Sequence, residues 1–405
     1  MKSEKVLFTL GLFFSQVNYF NPFVSFILFA VMCFLMLVVT LQGKVSLNIS
    51  RVDFLFLIIF LLMAVLTGLL FFGGSEGVIR ARPLFLYACI QLFMFMVVVN
   101  NVKKDWGTFY LTSFFIYFVV ESLVILGQYI YAIYGVGFQP KSELFFVFIE
   151  GTTLNPNNTA VMITAMVSVI ALQCKLYGKY NLLALVVVVG LFDVFFVFSR
   201  ACTLLYGLFF LVLFYDVFFN EKLGFRIYFV FFLLVFLSAI VGVSDLKALG
   251  SQDILDAVFA KLSTITELSD DESTQFRVNS MIRLFESFDR LDFGSLSDLN
   301  YATYFNTNDE WLNTVNPHSF LAEYSFLFGY LGFLLAFSLS VMLIFKIYTN
   351  KKVTIGVRFT LGCMVFILPF VPSSVLAMPQ LFIVFYLMGG GYSDRHLSEQ
   401  IGERN

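Results

Sequence analysis

Residues 52 to 72 read VDFLFLIIFLLMAVLTGLLFF, and Asp53 is the only charged position among them. As a helix this stretch is long enough to cross a hydrocarbon core of roughly 30 Å. Comparable runs recur at 6–20, 22–41, 83–99, 108–134, 157–174, 181–198, 201–219, 227–244, 319–345, 356–372 and 379–391. The fold class they imply is an all-α polytopic membrane protein with about twelve transmembrane helices, the first and last of them short. Composition agrees, because 60% of the 405 residues are hydrophobic and 13% are charged, against roughly 25% charged in soluble domains. An ordinary water-soluble fold is excluded.

Lysine and arginine in the short loops set the orientation, since such cations stay on the cytoplasmic side. With the N-terminus inside, sixteen of the 25 cations fall in the cytoplasmic set. The short outer loops then carry only Arg80, Arg82, Lys141 and Arg200, and both termini are cytoplasmic. The apolar start resembles a signal peptide but lacks a small-residue cleavage pattern around Gln16-Val17-Asn18-Tyr19, so it is read as a retained span. The net charge of -2 says little about partners in a chain whose charges are partitioned by leaflet. No basic patch points to nucleic acid. The five cysteines lie within or beside spans and imply no disulfide framework.

One stretch departs from this pattern. Between Asp245 and His318 lie 18 of the 52 charged residues, which marks a large, partly helical external loop before the last three spans. Residues 1–405 otherwise form a single transmembrane domain, without an internal repeat that would suggest inverted transporter halves. Inside the loop a helical pattern covers Thr274 to Leu291. Projected at about 100° per residue, Val278, Met281, Leu284, Phe285 and Phe288 share one side, and Asn279, Arg283, Glu286 and Arg290 the other. Arg277 projects into the apolar side, where a charge needs a partner because burying it alone costs several kcal/mol. An acidic side chain or an anionic ligand would serve.

Several polar residues stand where lipid meets water. His318, in Asn316-Pro317-His318-Ser319, opens a span and titrates near neutral pH, which suits a general base as well as an interfacial cap. Glu323 follows it by five residues. Arg200, in Phe198-Ser199-Arg200-Ala201, is either an arginine snorkelling to headgroups or a planar fork for phosphate oxygens. Asp193, seven residues earlier, falls on nearly the same helix face and reads as a counter-charge, an expensive residue inside a span. Asn157, in Leu154-Asn155-Pro156-Asn157-Asn158-Thr159, belongs to a patch that caps a helix start and could also meet a sugar. Arg80 and Arg82 either tolerate the disfavoured side or hold anionic lipid headgroups. The acidic run Asp270-Asp271-Glu272 has no histidine beside it, so no metal site is expected.

Taken together, Phe198-Ser199-Arg200-Ala201, Gln275-Phe276-Arg277, Asp292-Phe293-Gly294-Ser295, and His318-Ser319 followed by Gly329 and Gly332 resemble the O-antigen polymerase and O-antigen ligase superfamily of bacterial glycosyltransferases. The resemblance spans nearly the whole chain in topology and four short patches in sequence. It implies a cytoplasmic (inner) membrane enzyme that acts on polyprenyl-pyrophosphate-linked glycans at the outer face, without metal or cofactor. Arg200 and Arg277 would bind the pyrophosphate and His318 would assist the attacking sugar hydroxyl; from their positions in the chain, not from the resemblance, Arg80, Arg82, Asn157 and Glu323 are taken as further substrate-binding candidates, Glu323 also to orient the imidazole. Membrane lipid and a chain-length regulator protein are the implied partners.

Within that superfamily the Asn155-Pro156-Asn157 patch, and the lack of a second histidine beside His318, favour a polymerase of oligosaccharide repeat units. The alternative is a ligase that transfers lipid-linked polysaccharide to lipid A core. From a different class, a flippase or transporter would use Asp193 and Glu121 as path markers, but it predicts paired halves.

Overall fold

Lipid offers backbone N–H and C=O groups no hydrogen-bonding water, so a chain this apolar must satisfy them within its own helices or in a closed barrel. In the computed structural model, residues 50–72, 81–101, 106–131, 149–153, 155–197, 199–220, 319–351, 353–372 and 378–389 are described. Scattered positions within 5–13, 27–38, 226–234 and 278–285, with Val375, are described too. Among them every regular element is helical: α1 (Arg51–Phe72), α2 (Ala81–Asn101), α3 (Trp106–Tyr131), α4 (Pro156–Leu176), α5 (Tyr180–Phe196), α6 (Arg200–Asn220), α7 (Phe320–Thr349), α8 (Ile355–Ile367) and α9 (Pro379–Met388). Short 3₁₀ turns at Gly151–Thr153 and Leu368–Phe370 complete the set.

Each helix falls on one of the expected spans. Five segments are long and apolar enough to cross a membrane: Arg51–Leu69, Tyr110–Tyr131, Pro156–Leu176, Arg200–Val217 and Leu327–Thr349. The chain is therefore a helical membrane protein. The expected spans at 6–20, 22–41 and 227–244 and the loop at 245–318 lie largely outside the described residues.

The chain divides into two compact units. The first holds α1, α2, the start of α3, α7 and α9. Helix α1 turns Phe56, Phe60, Met63 and Thr67 inward and leaves Phe54, Leu55, Ile58, Leu62, Val65 and Leu69 open. An open face that is itself apolar fits contact with lipid tails, whereas water would demand charge there. Ser50 caps α1 in a reciprocal arrangement: Asp53 N–H donates to its Oγ at 3.2 Å, and that hydroxyl donates to Asp53 Oδ2 at 2.7 Å.

The Asp53 carboxylate also joins three helices. Tyr386 of α9 donates its hydroxyl to Oδ1 at 2.5 Å, and Lys346 Nζ of α7 lies 3.5 Å from the same oxygen. The ammonium sits 3.1 Å from the centroid of the Tyr386 ring, and Phe56 and Phe95 pack edge-on to that ring. Gly389 leaves space for the lysine stem, since a Cβ there would come within 2.7 Å of Lys346 Cγ. Breaking a buried pair by removing one partner costs about 3–5 kcal/mol, while removing both costs far less. Lys346→Met is expected to lower the thermal unfolding midpoint of the protein in detergent, and Asp53→Asn with Lys346→Met to recover part of the loss. An unchanged midpoint in the single variant would show that the pair contributes nothing.

Helix α7 is broken. Gly329 has φ 61° and ψ −147°, non-helical values inside the run, in a region that side chains with a Cβ rarely adopt. A Cβ on Gly332 would overlap the carbonyl oxygen of Tyr324. Eight residues along a continuous helix would separate these groups by about 12 Å, so residues 320–328 fold back against 330–349. The first half is sunk in this unit's core. Phe320 packs at a tilt against Phe382 of α9, ring centroids 4.9 Å apart, and Tyr324 donates to the Met63 sulfur of α1 at 3.6 Å. Residues 330–349 alone reach about 30 Å, enough to cross.

The second unit holds the later part of α3 with α4, α5, α6 and α8. Its centre is α4, buried on every side from Asn158 to Cys174. Gly190 lets α5 approach closely, because a Cβ there would meet Val167 and the Tyr206 hydroxyl. That hydroxyl donates to Val187 O at 2.7 Å. Helix α6 leaves Leu204, Leu208, Leu211 and Tyr215 open, at the i, i+4, i+7, i+11 spacing of a lipid-facing stripe. At the opposite end from the polar corner described next, Lys175 pairs with Asp216 and ties α4 to α6.

Candidate functional site

One corner of the second unit gathers most of its buried polar side chains. Asn155 starts α4, its Oδ1 accepting from the N–H groups of Asn157 at 3.0 Å and Asn158 at 3.2 Å. Pro156 occupies the first helical position, where no N–H is needed. Ser199 plays the equivalent part for α6, its carbonyl accepting from Thr203 N at 2.8 Å and Thr203 Oγ1 at 2.9 Å. The two helix starts meet directly, since the Ser199 hydroxyl donates to Asn157 Oδ1 at 3.3 Å. That contact turns the Asn157 amide so that its nitrogen makes no hydrogen bond within the described protein.

Arg200 is the first residue of α6 and is half-buried. The corner therefore holds an amide N–H₂ and the positive ends of two helices, with Arg200 at the first position of one of them. Donors dominate it, and such a set suits phosphate or other anionic oxygens. Next to Asn157, Asn158 is buried with its carbonyl oxygen unpaired among the described residues.

Behind this corner stands α3. Glu121 is fully buried, and its Oε1 accepts from Thr152 N at 2.8 Å while its Oε2 accepts from Thr152 Oγ1 at 2.5 Å. Gln128, two turns further along the same face, accepts through Oε1 from Glu150 N at 3.0 Å and Gly151 N at 2.8 Å, and donates to Gly151 O at 3.2 Å. Gly151 has φ 64°, and a Cβ on it would run into Glu121 Oε1 and Thr159. The adjacent Ser122 donates to Asp193 Oδ2 of α5 at 2.5 Å.

Of the residues singled out in the sequence, Asn157 is met by Ser199, the residue before Arg200, across 42 positions of chain. Asp193 takes a different part from the one expected. The helix carrying it ends at Phe196 and Arg200 opens another, so the shared-face projection does not apply across the break. Its hydrogen-bonding partner is Ser122. Glu121 and Gln128 are legible in the sequence only as polar residues inside an apolar run; that both reach the 150–153 turn required the fold.

In the first unit, Glu323 is buried in the sunken half of α7 and accepts from Val375 N at 3.0 Å through Oε2. Ser319 caps that half-helix, accepting from Ala322 N at 3.4 Å and donating to the Met281 sulfur at 2.9 Å. Met281, four residues beyond Arg277, therefore touches the residue next to His318. Arg277, His318 and Arg80 themselves lie outside the described residues, as do Asp270-Asp271-Glu272 and Asp292-Phe293-Gly294-Ser295. Arg82 lies in the first turn of α2, its side chain also outside them.

Among the described residues no group of three or more His, Cys, Asp or Glu side chains is placed to hold a metal ion. The folds and contacts above define a polytopic helical membrane protein with a donor-rich polar corner. No protein-family model, curated protein or solved structure matches the chain.

Proposed function

We propose that the chain is a polymerase of polyprenyl-pyrophosphate-linked oligosaccharide repeat units, an inner-membrane glycosyltransferase of the O-antigen polymerase type. Twelve spans with both termini in the cytoplasm put the starts of α4 and α6 at the outer face, and the 245–318 loop with them. The observation that carries the reading is the Ser199–Asn157 hydrogen bond, which sets Arg200 beside a second helix start and an amide donor. Two linked phosphates are the anionic group such a corner recognises best.

In the reaction, the acceptor sugar's hydroxyl attacks the anomeric carbon of the donor's first sugar. The new glycosidic bond forms as the carbon–oxygen bond to pyrophosphate breaks, and polyprenyl pyrophosphate leaves with the electron pair. Arg200 and Arg277 stabilise the charge that develops on the leaving group. His318 takes the proton of the attacking hydroxyl. Neither a metal nor a cofactor enters this scheme.

Arg200→Ala is the test. Loss of one charge-stabilising donor reduces turnover by about 10²- to 10³-fold, so cells carrying the variant should show single repeat units where the parent shows a ladder. The gel must separate lipid-linked from core-linked material. Long polymer retained on polyprenyl pyrophosphate would assign the chain as a ligase. A normal ladder would overturn both.

A further inference from the structure

We infer that Glu121 is a positioning residue for this corner, holding the Glu150–Thr153 turn on α3 through the hydrogen bonds it accepts, so that Asn157 and Arg200 face their ligand. The inference rests on the reading that the corner receives a lipid-linked diphosphate.

Backbone N–H groups shielded from water must find partners in the protein. Three successive N–H groups, those of Glu150, Gly151 and Thr152, have no helical partner here. Glu121 and Gln128 accept all three, at 2.8 to 3.0 Å. The Thr152 hydroxyl, also on Glu121, adds a fourth bond. Thr159 in the first turn of α4 donates to Glu150 O at 2.6 Å and lies 3.4 Å from Glu121 Oε1, so the same carboxylate reaches both the turn and the helix it feeds.

The turn leads directly into the Asn155 cap, so the chain between Thr152 and the start of α4 is short. Any shift of the turn is passed to Asn157, and through Ser199 to the start of α6. The close seating of Gly151 leaves no slack to absorb it. A buried carboxylate is costly unless fully hydrogen-bonded. The hydrogen bonds that Glu121 accepts come from Thr152 in this turn, with the Thr159 hydroxyl 3.4 Å away.

Acceptance of hydrogen bonds and possession of charge are separable. Glutamine at 121 can accept from Thr152 N and donate to its hydroxyl, whereas alanine can do neither. The experiment uses the full chain in nanodiscs, titrated with polyprenyl pyrophosphate and, as comparison, polyprenyl monophosphate. Glu121→Gln should bind pyrophosphate within about threefold of the parent, and Glu121→Ala about tenfold or more weakly, the scale set by losing one hydrogen bond to a charged group. Arg200→Ala should also weaken binding by about tenfold or more.

Weak binding by Arg200→Ala with parental binding by Glu121→Ala would overturn the positioning role and leave the diphosphate reading standing. Glu121→Gln as weak as Glu121→Ala would also overturn it, because charge would then be what matters. If the parent itself ignores the pyrophosphate, the diphosphate reading fails and this inference with it. Should Glu121→Ala not insert, Thr152→Ala decides: it removes one hydroxyl contact and should weaken binding by a few-fold, and parental affinity would sink the role.

Discussion

Cells whose only copy carries His318→Ala should make surface polysaccharide of single repeat units, with elongation reduced by roughly 10²- to 10⁴-fold, the range removed with a general base. A sugar hydroxyl is a poor nucleophile until its proton is accepted, and imidazole is the side chain suited to that near neutral pH. The only other histidine, His396, is in the C-terminal tail. Alanine at 318 keeps the cap of the sunken half-helix, which is Ser319, whose hydroxyl is bound to Ala322 N and to the Met281 sulfur. The variant should therefore reach the membrane in parental amount. His318→Gln, which keeps a polar side chain but accepts no proton, should be as defective as alanine. Parental ladders from both would remove histidine from the mechanism. Insertion failing in both would instead give the residue a structural part.

How much of the molecule is legible in its sequence depends on the range of the interaction involved. Spans such as 52–72 and 201–219 are legible because membrane insertion is decided by local apolar length, and all nine expected spans that fall in the described residues coincide with helices. The Asn155-Pro156 start of α4 is legible for the same reason, since capping is decided within a few residues. The Asp53–Lys346–Tyr386 junction is not. Asp53 lies hundreds of positions from Lys346 and Tyr386, and nothing near it indicates which of 25 cations it meets. The same holds for Glu121, which reads in sequence as a polar interruption of α3, while its partner Thr152 lies across the 132–148 segment. Asp193 shows the converse error. Projection along one helix is sound only while the helix continues, and it stops three residues short of Ser199.

Gly329 and Gly332 give the sharpest case of a residue visible in sequence whose reason is invisible there. As letters they are two glycines three positions apart; as geometry they allow α7 to break and fold back. Gly332→Ala should cost more than the roughly 1–3 kcal/mol of ordinary overpacking, because the added methyl meets the Tyr324 carbonyl, which no rotamer change can move. Gly329→Ala should cost about 1–3 kcal/mol, the strain of holding a side chain at φ 61° and ψ −147°. Two other glycines in helices provide the contrast: Gly127 and Gly207 have nothing within 4 Å of a built Cβ. Alanine at either should be neutral or stabilising, by up to about 1 kcal/mol from helix propensity. Thermal unfolding of the four variants in one detergent, with membrane-inserted yield, separates these cases. Gly332→Ala unfolding at the same temperature as Gly207→Ala would mean that residues 320–328 do not pack back against 330–349. The sunken position of Ser319 would then have to be abandoned. A large loss confined to Gly332 and Gly329 would instead give the two glycines a physical reason, the bend that sets residues 320–328 into the interior of the first unit.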